Sequence, residues 1–245
     1  MSKPDRRVEL DLVAHLPPHL HGNGEVGFQA GAGSFYALLH EVEKLPAFKL
    51  GWRSAGFEMW KDKEAFTEYK WGRMQSFEDP NDGGVIGLID NAPATIGDDR
   101  IFHDFKYSWS SLSNMLNVEF LRLRDDYTLR VADFVDLIEI ITQWQRPEHL
   151  WFGPGLYYRN HSATPRGHYG KIGANWMTWV DKPLRPDQVP EAYLVKPMAG
   201  GTLVVSHNDI WQAYPPHPDY SEAAIQRTQD VEMRLNTLGA LPSVR

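Results

Sequence analysis

From Arg7 to Val13 apolar and charged residues alternate, with Val8, Leu10 and Leu12 set against Arg7, Glu9 and Asp11. A period of two sends successive side chains to opposite faces, so this stretch predicts a half-buried strand. Residues 14–33 hold Pro17-Pro18 and five glycines and predict a loop. At Ser34 the period changes. Phe35, Leu38, Leu39, Val42 and Leu45 recur every three or four residues behind a serine N-cap, predicting a helix that Pro46 stops. A shorter helix is expected over 62–69, with Ala65, Phe66 and Tyr69 turned inward.

Residues 78–99 are turn-rich, with one apolar piece at 85–89. Strands are expected over 101–109 and 117–124. The longest central helix is expected over 129–145, where Ala132, Val135, Ile138 and Ile141 keep helical spacing until Pro147. Aromatic, strand-like segments at 149–158 and 174–180 flank a glycine-rich loop. The prolines of 184–197 predict an extended surface run. A β-branched strand over 202–206 and a helix over 221–238 close the chain. There is no internal repeat and no clean linker, and strands and helices do not alternate regularly. The expected class is therefore α+β: a mixed, largely antiparallel sheet packed with a few helices, in one domain spanning 1–245.

Composition narrows the chemistry. At 245 residues, 23% charged and 42% hydrophobic, the chain has the make-up of a soluble protein with a large core. No apolar run is long enough for a membrane span, and the basic N-terminus lacks the apolar stretch of a signal peptide, so a cytoplasmic location is expected. Without cysteine there is no disulfide scaffold, thiol nucleophile or Cys-ligated zinc. The net charge of -7 argues against nucleic acid as a direct partner and suits a basic one. Nine tryptophans fit a core of large aromatics, and some of them could serve as interface anchors or as a sugar platform.

Three patterns resemble functional motifs and fail on physical grounds. Gly22-Asn23-Gly24-Glu25-Val26-Gly27 spells a dinucleotide fingerprint, but the expected strand ends near Val13 and the expected helix starts near Ser34, so a surface loop is expected. His15, His19 and His21 cluster without further ligands at a recognisable spacing. The run from Glu78 to Asp90 puts Gly83, which has no side-chain oxygen, where a calcium loop needs a ligand. No nucleophile elbow, zincin helix or phosphate loop is present, so no catalytic residues are assigned and no enzyme activity, metal or cofactor is expected.

Charge is more informative than these motifs. Residues 78–104 carry Glu78, Asp79, Asp82, Asp90, Asp98, Asp99 and Asp104 against Arg100 alone. This loop-rich segment nets -6 of the chain's -7. It reads either as a solvated charged stretch or as an acidic patch that steers a basic partner. With Tyr107 and Trp109 close behind as aromatic anchors, these residues are the candidate partner-binding set.

Two regions carry a family resemblance. Residues 200–242 run Gly200-Gly201, a β-branched strand, His217-Pro218, and a helix ending in Leu235-Asn236-Thr237-Leu238-Gly239-Ala240-Leu241-Pro242. Residues 38–66 carry Leu45-Pro46-Ala47-Phe48, Gly51-Trp52, Gly56 and Lys63-Glu64-Ala65-Phe66. Together they resemble the immunity protein 52 family, whose members neutralise secreted polymorphic toxins of bacteria. The resemblance implies an α+β fold without enzymatic activity or cofactor. It also implies a cognate toxin as partner, delivered by contact-dependent or type VI secretion and nuclease-like in chemistry. An alternative is an uncharacterised hydrolase or carbohydrate-binding protein using surface tryptophans; it requires a tryptophan-lined pocket with converging carboxylates.

Overall fold

The computed structural model describes residues 8–18, 21–22, 24–48, 51–75, 83–91, 102–110, 113–123, 131–155, 173–213 and 219–242. They form one α+β domain. Ten strands make a single sheet: β1 (Val8–Leu16), β2 (Trp52–Ser54), β3 (Phe57–Glu58), β4 (Gly84–Asn91), β5 (Phe102–Trp109), β6 (Asn114–Leu123), β7 (His149–Pro154), β8 (Met177–Val180), β9 (Leu194–Met198) and β10 (Gly201–Val205). Their order is β3-β2-β4-β5-β6-β1-β7-β8-β10-β9, and every described pairing is antiparallel. Four described α-helices pack on it: α1 (Gly24–Val42), α2 (Lys63–Met74), α3 (Val131–Trp144) and α4 (Glu222–Thr237).

Strand alternation sorts the sheet into two faces. Phe105, Tyr107 and Trp109 of β5, Leu116, Val118 and Phe120 of β6, and Leu10, Leu12 and Ala14 of β1 all point inward. There α1 and α3 cover them, with Phe35 stacked on Tyr107 and Phe134 packed edge-on to Phe120. At the other end the second face is covered too. Val180 and Val204 meet Val231 and Leu235 of α4 in a separate apolar cluster. The α4 helix and β10, expected over 221–238 and 202–206, therefore form scaffold.

The loop expected over 14–33 is not a loop. Strand β1 continues to Leu16, and α1 begins at Gly24, ten residues before the expected Ser34 start. The glycines explain both the error and the structure. A Cβ on Gly27 would lie 1.9 Å from the Gly22 carbonyl oxygen, and one on Gly31 would lie 2.3 Å from the Trp109 ring. The helix accepts the conformational cost of glycine so that its backbone can lie against the sheet. The fingerprint-like run thus contains a helix start, but β1 before it pairs antiparallel with both β6 and β7, so no parallel βαβ unit forms.

Part of the proline-rich run expected at the surface is also sheet. Strand β9 is an edge strand, which tolerates Pro197 because one side of its ladder is unused. It turns into β10 through Ala199-Gly200, both at positive φ, and Ala55-Gly56 joins β2 to β3 in the same way. Such two-residue turns match the twist of hairpins. Strands as short as β2 and β3 leave no readable period, and none is predicted there.

Candidate interaction face

The outward residues of β4, β5, β6 and β1 form the part of the sheet that the described helices leave uncovered. Their register builds three rows. The first is Asp104, Glu119 and Asp11, with position 89 of β4 in register; the second is Gly87, Lys106, Asn117 and Val13; the third is Val85, Ser108, Met115 and His15. Lys106, Glu119 and Val85 are exposed, and Asp11, Val13, His15, Asp104, Ser108, Met115 and Asn117 are half-buried.

The first row sets three carboxylates abreast on adjacent strands, Asp104 opposite Glu119 and Glu119 opposite Asp11. Directly opposed cross-strand residues sit about 5 Å apart at Cβ, and like charges there weaken a sheet. Burial pushes the Asp104 carboxyl above its ordinary value, while Lys106 and Lys70 pull it back. Asp11 lies against Gly155, where an added Cβ would come within 2.1 Å of its carboxylate. The face is chemically mixed, with an acidic row at one end and, in the middle row, Lys106 and Asn117 between Gly87 and Val13.

Of the sequence-derived candidates, the structure places Asp104 on this face. Asp90 is in β4, in register with His103 and Trp52. Glu78, Asp79, Asp82, Asp98 and Asp99 lie outside the described residues. The stretch expected to be loop-rich is, between Gly84 and Asn91, a sheet strand. Tyr107 and Trp109 require a correction. They are 0% and 2% exposed and lie in the inner layer, on the face opposite Asp104. Strand parity is the reason, since residues 104 and 107 differ by an odd number. They offer no surface to a partner and act as core.

Tyr107 instead anchors a polar network. The Gln145 side-chain amide donates to its hydroxyl at 3.2 Å, and that hydroxyl lies 2.8 Å from His21 Nε2. Asn114 donates to the Pro17 carbonyl at 3.1 Å and to Gln145 Oε1 at 3.3 Å. The network fastens the β1–α1 connection to the end of the sheet. It also separates the histidines, because His15 is on the outer face and His21 meets Tyr107 on the inner one; His19 lies outside the described residues. Among the described residues, no group of three or more His, Asp or Glu side chains could hold a metal ion.

His149, in register with His15, is fully buried with Nε2 3.1 Å from the Gly173 carbonyl. Desolvation, aided by His15, pulls its pKa down to about 3. His207, stacked on Trp176, falls to about 4, again mainly through burial.

The tryptophans are spent on packing. Trp52, Trp109, Trp151, Trp176 and Trp179 are buried and Trp71, Trp144 and Trp211 half-buried. Trp60 alone is exposed, at 37%, and it is stacked flat on His40 with ring centroids 3.9 Å apart. One capped indole is not a sugar-binding platform. The signal that sequence reading missed is the outer-face set Asp11, Val13, Lys106, Asn117 and Glu119. Alternation in each strand is legible, but their alignment into rows depends on strand order and register.

No described helix is long and apolar enough to cross a membrane. No protein-family model matches the chain, and none of the curated proteins matches it. Among solved structures, the chain is similar to the Pseudomonas aeruginosa T6SS protein PA0821, at a TM-score of 0.50 and 13% identity, over 93% of this chain and 73% of that one. At that identity the likeness is one of fold, and the family resemblance rests on the residues quoted for it above.

Proposed function

We propose that this chain is a toxin-immunity protein. It binds a cognate secreted bacterial toxin with a basic, nuclease-type cleft and inhibits it by occluding the active site or the approach of substrate. The observation that carries the reading is the outer sheet face, with carboxylates at Asp104, Glu119 and Asp11 on a chain of net charge -7. Opposed like charges cost stability in the free protein, and a basic partner relieves that cost on binding. The fold likeness to a Pseudomonas aeruginosa T6SS protein and the immunity protein 52 resemblance both support this class. Inhibition is stoichiometric, with no chemistry and no cofactor, in the cytoplasm of the producing cell.

The test is to look for a secreted protein with a nuclease-like toxin domain encoded beside this gene and to co-express that domain with this chain. Growth should be rescued by the wild-type chain and lost with Asp104→Lys combined with Glu119→Lys, both still folded by circular dichroism. Full rescue by that double variant would remove the acidic face from the argument. Toxicity unaffected by the wild-type chain would remove the immunity reading altogether.

A further inference from the structure

We draw no further inference here: the strongest candidate, the exposed patch at the C-terminal end of α1 where Trp60 stacks on His40 and donates its indole N–H to Glu43, carries nothing because nothing in the structure shows what covers it.

Discussion

His149 and His207 make the folded protein acid-sensitive in a window set by imidazoles and not by carboxylates. Both are buried, and burial holds them neutral down to about pH 3 and about pH 4, against 6.5 for an ordinary imidazole. The sign follows from proton counting. Between the folded and ordinary values the unfolded chain binds more protons, so stability falls as pH falls. The contribution is fully present above about pH 6.5. Below it each histidine removes about 1.4 kcal/mol per pH unit. Over the two units down to about pH 4.5 the pair removes about 5 kcal/mol, comparable to the whole stability of a modest domain. His15, whose pKa burial also lowers while Glu148 opposes, adds in the same direction. The assay is the urea midpoint at a series of pH values from 7 to about 4.5, for wild type, His149→Gln and His207→Gln. Each variant should be less stable than wild type at neutral pH, and the deficit should shrink as pH falls, because the slope against pH flattens by about 1.4 kcal/mol per unit. Wild-type slopes in both variants would refute the reasoning, as would imidazole resonances that titrate near 6.5 in the folded protein.

Two glycines of α1 separate packing from propensity. Gly31→Ala drives a Cβ to 2.3 Å from the Trp109 ring and should cost about 1–3 kcal/mol with a change in tryptophan fluorescence, whereas Gly33→Ala meets nothing within 4 Å and should stabilise by about 0.5–1 kcal/mol in thermal unfolding. Asp104→Asn should raise the urea midpoint at neutral pH, because the folded protein holds that carboxyl above its ordinary value and pays to ionise it. The same substitution should weaken binding of the cognate toxin by calorimetry; a variant that is neither more stable nor weaker in binding would count against a functional row.

Much of the architecture is legible in the chain because it rests on local periodicity. The α3 and α4 helices, β5 and β10 fall within a few residues of the segments that alternation and helical spacing mark out, since each buries one face and its sequence must say which. What the chain could not reveal has one physical cause, the contacts between segments distant in sequence. Gly27 and Gly31 read as loop formers, and they sit in a helix because Gly22 and Trp109 press against it. Tyr107 and Trp109 read as anchors beside an acidic stretch, and register with β6 turns them into the core. Composition and charge alone determined that the chain is acidic, thiol-free and rich in aromatics. Only the tertiary structure decided that Asp11, Asp104 and Glu119, from three separate strands, stand in one row, because sheet order is set by long-range pairing that no single segment encodes.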